Sequence, residues 1–339
     1  MDIVITGGAG FIGSNLARTL TEHPKINQIR VIDNLSTGSK ENLADVDIRF
    51  VEGDVQDAEL LDQTFHGADA IVHLAALPSV PRSVKDPLAS HHANATGTLQ
   101  VLEAARRAGN LHVIAASSSS VYGATPHLPK HEKLPTIPMS PYAVTKLATE
   151  AYLSAYHYSY GLPVLPLRFF NVYGPGQRAD HPYAAVIPKW IHAILTGQPI
   201  TVHGDGTQTR DFTFVGTVCE VLADAAIRKI SNPSPVNLAF GADISLKELI
   251  GEIEAVSGAT AAVTHTASRP GDVPHSSADS GRLRELFPDI APLAARKGLE
   301  VTWQWHRARA AGSRRPHRGG RLLPARGSDQ QGTPAARSR

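Results

Sequence analysis

One stretch of sequence indicates the fold: Asp2-Ile-Val-Ile-Thr-Gly-Gly-Ala-Gly-Phe-Ile-Gly13. It begins with a run rich in Ile and Val, as buried strands do, and an amphipathic segment, Ile12–Glu22, follows the glycines. Gly7 permits a tight turn, Gly10 lets a phosphate approach the backbone, and Gly13 lets the helix pack closely on the strand. The stretch therefore predicts a strand–loop–helix unit that binds a dinucleotide.

Short strand-like runs and amphipathic segments then alternate along the chain. The other predicted strands are Ile29–Asp33, Ile48–Val51, Ala70–Leu74 and Leu111–Ala116, and a helix is predicted over Gly97–Ala108. This alternation predicts an α/β fold with a doubly wound parallel sheet of the Rossmann type, formed by residues 1–167. Helices are predicted to dominate after residue 167, over Ala184–Leu195, Val218–Ile230 and Leu246–Val256. We expect a smaller α/β substrate lobe over 168–306, with the chain returning to the first domain around 210–230.

Composition excludes several classes of protein. The 339 residues are 42% hydrophobic, and no apolar run approaches the ~18 residues that span a bilayer. No signal peptide is apparent, and Cys219 is the single cysteine, which fits a cytoplasmic protein. Residues 307–339 contain nine arginines and one acid, so they carry a formal charge of +8 and residues 1–306 carry −6. We expect a disordered basic tail over 307–339, and neither a nucleic-acid nor a membrane partner.

An acidic residue identifies the cofactor that the glycine loop would bind. Asp33 lies 20 residues after Gly13, at the end of the second predicted strand, where a carboxylate can accept hydrogen bonds from ribose hydroxyls. It would repel a 2′-phosphate, and its neighbour Asn34 is not basic, so NAD is favoured over NADP. Further cofactor contacts are expected near the carboxyl ends of the strands, from Phe11, Ile12, Asn34, Asp54, Val55, Leu74, Ala75 and Ala76. No metal site is expected.

A second motif predicts acid–base chemistry beside that cofactor. Ser140-Pro-Tyr-Ala-Val-Thr-Lys146 contains Tyr-x₃-Lys, which places Tyr142 and Lys146 on one face of a helix. A serine run, Ser117–Ser120, follows a predicted strand and faces the same crevice. A free tyrosine has a pKa near 10, and we expect the charges of Lys146 and NAD⁺ to lower the pKa of Tyr142. Tyr142 could then take a proton from a substrate hydroxyl.

With these motifs the chain resembles the extended short-chain dehydrogenase/reductase family, in particular its nucleotide-sugar epimerases and dehydratases, over residues 1–306. Further matching segments are Ser79-Val-Pro-Arg-Ser83, Arg168-Phe-Phe-Asn-Val-Tyr-Gly-Pro175, Ala185-Val-Ile-Pro-Lys-Trp190, Gly204-Asp-Gly-Thr-Gln-Thr-Arg-Asp-Phe212 and Arg269-Pro-Gly-Asp272. The resemblance implies that Ser118 completes a catalytic set with Tyr142 and Lys146, that all three also contact cofactor or substrate, and that the protein is a homodimer. Its dimer helices would include 90–108 and 141–158.

The resemblance also implies a substrate site. Ser120 would contact the sugar, Asn171 the diphosphate or sugar, and Asp272 the uridine ribose. Two arginines, Arg210 and Arg269, would pair with phosphates, and Val186 lies in a matching segment. The residue that controls access to the sugar's C2 substituent would be Ser276, whose small side chain leaves room for an N-acetyl group.

These features predict an NAD-dependent isomerase that inverts C4 of a UDP-hexose through a transient 4-keto sugar. The substrate would be UDP-GlcNAc/UDP-GalNAc, UDP-Glc/UDP-Gal, or both. The family's 4,6-dehydratases have an Asp-Glu pair where this chain has Ser119 and Ser120, which disfavours dehydration. Three alternatives remain: a UDP-glucuronate 4-epimerase, in which Arg82 would hold the carboxylate; another nucleotide-sugar ketoreductase or dehydratase; and, more distantly, a non-catalytic NAD-binding regulator.

Overall fold

The computed structural model describes residues 1–180, 183–267 and 275–313. Its main feature is a seven-stranded sheet in which every neighbouring pair is parallel. Six of its strands are β1 (Asp2–Thr6), β2 (Gln28–Asp33), β3 (Arg49–Glu52), β4 (Ala70–His73), β5 (His112–Ser118) and β6 (Val164–Phe169), and the seventh is β11 (Val236–Leu238). The spatial order is β11-β6-β5-β4-β1-β2-β3. This confirms the doubly wound α/β fold.

Helices cover both faces of this sheet. They are α1 (Phe11–Thr21), α2 (Ala58–Phe65), α3 (Val80–Lys85), α4 (Pro87–His91), α5 (Gly97–Arg107), α6 (Pro141–Tyr160), α8 (Val215–Ile227) and α10 (Gly281–Leu286). One apolar core lies between the sheet and helices α1 and α8. A second core lies between the opposite face of the sheet and helices α2, α5 and α6. A π-helix, His92–Thr96, joins α4 to α5, and 3-10 turns cover Lys40–Leu43 and Ser119–Tyr122.

The remaining elements form a smaller lobe beyond the carboxyl ends of the strands. Its helices are α7 (Val186–Leu195), α9 (Leu246–Ser257) and α11 (Ala295–Ser313). Its strands are β7 (Val172–Tyr173), β8 (Ile200–His203), β9 (Thr209–Asp211), β10 (Thr213–Phe214), β12 (Asp243–Ser245), β13 (Val263–Thr266) and β14 (His275–Ser276). A separate apolar core, with Trp190, Leu249 and Trp303, packs its helices together.

The structure changes the domain limits that the sequence predicts. Residues 168–306 are not one continuous lobe. The return expected around 210–230 corresponds to α8, which packs on α1, but β11 also completes the main sheet beside β6, and α10 packs near β11. The sequence analysis missed both of these strands. β6 contains Pro166 and Arg168, and β11 has three residues, which is too short for a periodic pattern.

The expectation of disorder from residue 307 is wrong for residues 307–313, since α11 continues to Ser313. The run Arg307-Ala-Arg-Ala-Ala311 consists of strong helix formers, and the Arg309 guanidinium lies 5.5 Å from the ring of Trp305. The helix is anchored by buried Leu299 and Trp303. Residues 314–339 lie outside the described part of the chain. Across the described residues, no helix combines the length and apolar character needed to traverse a bilayer.

Candidate active site

The glycine loop between β1 and α1 has the geometry that a dinucleotide phosphate needs. Gly7 has φ +71°, and a Cβ added to it would lie 2.6 Å from the Ala75 nitrogen. A Cβ on Gly13 would lie 2.4 Å from the Gly7 carbonyl oxygen, so only glycine lets α1 approach β1 this closely. Gly10 is the N-cap of α1 and places no side chain at the helix N-terminus. The free N–H groups there can hold a pyrophosphate.

Asp33 lies at the end of β2 beside this loop. Its Oδ2 accepts a hydrogen bond from the Ala9 N–H (2.9 Å) and its Oδ1 accepts one from the Leu35 N–H (2.8 Å). Burial raises the pKa of Asp33, and these two bonds partly oppose the increase. Each oxygen keeps a further lone pair that can accept a ribose hydroxyl. The neighbouring Asn34 amide donates to Asp54 (2.7 Å), so the environment is neutral or acidic and fits NAD.

A cavity of about 880 Å³ runs along the carboxyl ends of the strands. It brings together every residue that the sequence predicts for the cofactor or for catalysis: Gly7, Gly10, Phe11, Ile12, Gly13, Asp33, Asn34, Asp54, Val55, Leu74, Ala75, Ala76, Ser118, Tyr142 and Lys146. The volume and the open glycine loop are therefore compatible with bound NAD. The roles of individual residues remain predictions.

Tyr142 and Lys146 lie in the first two turns of α6. The helix begins where the Ser140 side chain accepts a hydrogen bond from the Ala143 N–H (3.2 Å), and Pro141 occupies the first turn. The Tyr142 phenol faces the Ser118 side chain, at the end of β5, and Ser118 favours the phenolate. Lys146 is buried and its Nζ donates to the Ala116 carbonyl (2.7 Å). The motif thus meets the serine run at one point in the cavity.

The electrostatics differ from the sequence prediction for Tyr142. Burial raises the pKa of Tyr142, and only the Ser118 side chain opposes the increase. Burial also lowers the pKa of Lys146 to about 8, while the Glu150 carboxylate partly opposes this change. Desolvation of the phenol is the dominant effect on the pKa of Tyr142 in this structure, and the expected lowering by Lys146 and NAD⁺ together stays a prediction.

A second cavity, of about 610 Å³, lies within the smaller lobe, among β7, α7, β8, β9 and the start of α9. Asn171, Val186 and Arg210 line it, as expected for substrate contacts. Asn171 has φ +30°, and its side-chain amide donates to the Asp211 carbonyl (3.0 Å). Three residues line both cavities and make them neighbours: Val172, Gln177 and Ala185.

Two other predicted substrate residues that the structure describes, Ser120 and Ser276, do not line either cavity. The hydroxyl of Ser120 is buried in the 3-10 turn and has no hydrogen-bond partner among the described residues. Ser276 pairs with Arg210 in the β14–β9 ladder, which places it one strand away from the second cavity. Arg269 and Asp272 lie outside the described residues.

Sequence reasoning missed several residues of this region. Gln177 and Tyr183 line the first cavity but have no motif spacing that marks them. The sequence indicates a role for Arg82 only in the UDP-glucuronate alternative. Arg82 lines the same cavity, and its guanidinium lies 5.4 Å from the Tyr183 ring. Glu150 lies four residues after Lys146, and this i, i+4 spacing was a usable signal.

The fold and the cavities define an enzyme with a dinucleotide site beside a Ser–Tyr–Lys set. A model of the NAD dependent epimerase/dehydratase family matches residues 3–239, and the chain belongs to this family.

Named relatives agree with this assignment. The chain is 36% identical to a UDP-glucose 4-epimerase of Azospirillum brasilense, over 84% of this chain and 85% of that protein. Among solved structures, it is similar to a UDP-N-acetylglucosamine 4-epimerase from Methanobrevibacter ruminantium in complex with UDP-N-acetylmuramic acid. The TM-score is 0.85 with 37% identity, over 91% of this chain and 98% of that one. A Thermus thermophilus UDP-glucose 4-epimerase complex with NAD has a TM-score of 0.82 and 33% identity, over 91% of this chain and 99% of that one.

Proposed function

We propose that this protein is an NAD-dependent UDP-hexose 4-epimerase. The observation that carries the proposal is the meeting of Tyr142, Ser118 and Lys146 in the cavity that begins at the glycine loop. This cavity adjoins a second one that is large enough for a sugar nucleotide. Relatives named as UDP-glucose and UDP-N-acetylglucosamine 4-epimerases support the same activity.

Bound NAD⁺ would supply a hydride acceptor that gives the hydride back, and a positive charge close to the phenol. The protein's own groups would move the proton of the 4-hydroxyl. Tyr142 would take this proton as the sugar becomes a 4-keto intermediate, and would return it after the sugar has turned in the site. Ser118, which faces the phenol, would hold the sugar oxygen, and Lys146 together with NAD⁺ would favour the phenolate.

Carboxylate placement argues against the dehydratases of the same family. Among the described residues that line the first cavity, the carboxylates are Asp33 and Asp54, both at the adenosine end. Ser119 and Ser120 follow Ser118 in the 3-10 turn, where an acid would be needed beside Tyr142. Loss of water requires a further acid–base pair near the sugar. The described cavity supplies none there.

The proposed substrates are UDP-GlcNAc/UDP-GalNAc and UDP-Glc/UDP-Gal, because relatives of this chain are named as 4-epimerases of UDP-glucose and of UDP-N-acetylglucosamine. One observation favours a uronate as a second candidate. Arg82 lines the first cavity on α3, and its neighbour Ser83 accepts a hydrogen bond from the Tyr142 N–H (3.0 Å). A guanidinium near Tyr142 could pair with a sugar carboxylate.

Incubation of the purified protein with each UDP-sugar, without added NAD, tests the proposal. We expect NMR spectra to show conversion of UDP-GlcNAc or UDP-Glc into its C4 epimer with unchanged mass. Faster conversion of UDP-glucuronate would favour the second candidate. Loss of water or net consumption of NAD(P)H would indicate a different reaction. No conversion of any of the three, with NAD found in the protein, would reject the epimerase.

We further propose a homodimer in the cytoplasm, with no nucleic-acid or membrane partner needed for the reaction. The single cysteine and the net negative charge of residues 1–306 support the location and the absence of these partners. A continuous apolar face supports the dimer. Its exposed residues are Val84 (64%), Leu88 (70%), Val144 (52%) and Tyr158 (75%), from α3, α4 and α6. None of them lies on α5, in the segment 90–108 that is expected at the dimer interface, because Val101 and Leu102 of this helix are buried.

Substitution of this face tests the dimer. We expect the wild-type protein to have twice the chain mass by light scattering, and Leu88→Glu/Tyr158→Glu to have the mass of one chain, because buried carboxylates oppose association. The same pair of changes at the exposed Val263 and Leu293, which lie outside these three helices, should leave a dimer. A wild-type protein that is monomeric at micromolar concentration would contradict the proposal.

A further inference from the structure

A buried carboxylate lies one helical turn beyond Lys146, and the proposed reaction does not use it. The Glu150 side chain is 5% exposed and accepts two hydrogen bonds from Arg168, from Nε (2.8 Å) and from Nη2 (2.7 Å). Arg168 is 3% exposed. A buried ion pair is weak evidence for stability, because removing both charges from water costs as much as their attraction returns. The contacts of the two side chains indicate instead that the pair holds neighbouring elements in place.

Glu150 and Lys146 bind consecutive residues of β5. The Lys146 Nζ donates to the Ala116 carbonyl (2.7 Å), and the Ser117 hydroxyl donates to Glu150 Oε1 (2.5 Å). Both bonds run from α6 to the carboxyl end of the same strand. Together they fix how far α6 can slide or rotate relative to β5.

The next residue of β5 is the one that meets the phenol. Ser118 faces the Tyr142 phenol, so three consecutive strand residues contact three residues on one face of α6. Tyr142, Lys146 and Glu150 are spaced four residues apart, which is the spacing of one helix face. Of these six residues, Glu150 alone does not line the first cavity.

Strand β6, which pairs with β5, also contributes to these contacts. Arg168 belongs to β6, and its guanidinium lies 4.6 Å from the ring of Tyr122. The Tyr122 hydroxyl donates to the side-chain carbonyl of Asn237 in β11 (2.7 Å). Glu150 is thereby connected to three adjacent strands, which makes its position in the sheet well defined.

Charge gives the pair a second effect on Lys146. The charged or titratable groups around the Lys146 ammonium are Tyr142 and Glu150 on α6, His73 on β4, and Arg168 on β6 beyond Glu150. Burial lowers the pKa of His73 to about 3, so this imidazole is neutral. Glu150 is the group that opposes the effect of burial on the pKa of Lys146.

We propose that Glu150 is a positioning residue for the reaction: through Ser117 and Arg168 it sets β5 against α6, so that Ser118 meets Tyr142 and Lys146 stays charged. The proposal rests on the proposed epimerase function. Of the three residues that it concerns, Ser117 lines the first cavity whereas Glu150 and Arg168 do not, and it assigns Glu150 no contact with substrate or cofactor.

Ser117→Ala tests the contact with the strand. This variant loses one hydrogen bond and keeps the ion pair, so it should fold. We expect kcat to fall by about 10-fold to 100-fold, since a small displacement of catalytic groups has effects of this size, while KM for the UDP-sugar changes less than about twofold. A purely structural bond would lower the melting temperature and leave kcat unchanged.

Glu150→Leu/Arg168→Met tests the charge. Replacing both partners by apolar residues avoids a lone buried charge, which a single substitution would leave and which could prevent folding. We expect the pKa of Lys146, followed by NMR with ¹³C-labelled lysine and assigned with Lys146→Met, to fall by about one unit or more. The alkaline limb of the kcat–pH profile should move to lower pH by the same amount.

A second ion pair provides the matched control. Arg30 and Asp2 are also largely buried and lie 3.0 Å apart, at the amino end of the sheet, far from the cavity. Asp2→Leu/Arg30→Met should change stability but leave kcat and the pKa of Lys146 at their wild-type values. Wild-type kcat in Ser117→Ala, or a wild-type Lys146 titration in the paired Glu150 variant, would overturn the proposal. The NMR titration does not need turnover, so it separates a failure of this inference from a failure of the epimerase assignment.

Discussion

Tyr142 is a phenol that its surroundings make less acidic, although the proposed reaction needs it to accept and return a proton. Burial raises its pKa, and Lys146 donates to the Ala116 carbonyl. The positive charge that would favour the phenolate must therefore come in large part from bound NAD⁺. This arrangement couples the acidity of Tyr142 to the oxidation state of the cofactor.

Tyr142→Phe tests the role of this single oxygen. We expect kcat to fall by about 10²- to 10⁴-fold, the usual contribution of a general acid–base, with NAD content and UDP-sugar affinity close to wild type. Tyr156→Phe is a matched control on the same helix, because the Tyr156 hydroxyl donates to Glu103 (2.6 Å) away from the cavity. If Tyr142→Phe keeps activity within tenfold of wild type, Tyr142 is not the general acid–base of the reaction.

At the residue scale, the sequence predicts those positions whose chemistry is dictated locally. Gly7 has a positive φ and Gly13 lies against the nearby Gly7–Gly8 backbone, so both are marked by the loop itself, although Gly7 also lies against Ala75. Tyr142 and Lys146 are marked by helix spacing alone. Ser120 and Ser276 show the limit, because whether a hydroxyl faces a cavity depends on tertiary packing. The partnership of Glu150 with Arg168 depends on the pairing of β6 with β5, which no local pattern contains.

At the element scale, the β1–loop–α1 unit is the part of the fold that one methyl group can disrupt. A Cβ on Gly13 would lie 2.4 Å from the Gly7 oxygen and 2.5 Å from the Gly8 Cα, both of which are backbone atoms. Backbone cannot move aside as a flexible side chain can. Any added atom must therefore push α1 away from β1 and distort the loop.

Gly13→Ala should therefore lower the free energy of unfolding by about 1–3 kcal/mol or more, which is the usual cost of overpacking. The variant should also lose bound NAD, measured by absorbance after denaturation. Gly251→Ala is the matched control, because a Cβ at this exposed helical glycine of α9 meets nothing within 4 Å. It should stabilise the protein by about 0.5–1 kcal/mol, since alanine is the better helix former. Equal effects of the two substitutions would contradict this argument.

The elements that the sequence analysis predicts are those with strong local signals. Buried runs of Ile and Val mark β1 and β2, and amphipathic spacing marks α1 and α5. The failures are elements whose position is set by partners: β11 is three residues long and is a strand only because β6 supplies its hydrogen bonds. The arginine-rich composition after residue 306 predicts disorder, but the Ala and Arg residues at 307–311 extend α11, a helix already anchored by Trp303.

For the whole molecule, buried imidazoles set the response to acid. Burial lowers the pKa of His73 to about 3, and those of His112 and His306 to about 4. In an unfolded chain histidine has a pKa near 6.5, so below this pH the unfolded state binds protons that the folded state does not. Asp211 acts in the opposite direction, because burial raises its pKa to about 6 and the folded state takes up this proton first.

The free energy of unfolding should therefore fall as pH decreases from 6.5 towards 4, with each imidazole contributing up to about 1.4 kcal/mol per pH unit and Asp211 offsetting part of it. Urea denaturation at a series of pH values measures this slope. His112→Gln, which can still donate to the Ile230 carbonyl, should reduce the slope by up to about one proton. An unchanged slope would show that His112 titrates alike in both states.

The late position of β11 in the chain has a consequence for biosynthesis. On a ribosome, β6 emerges well before residues 236–238, and the intervening segment must be made before the sheet can close. During that interval the hydrogen-bonding edge of β6 is open to pairing with other nascent chains. Conditions that slow translation between these two strands should thus favour aggregation, and a chain cut short before β11 should depend on chaperones to stay dispersed.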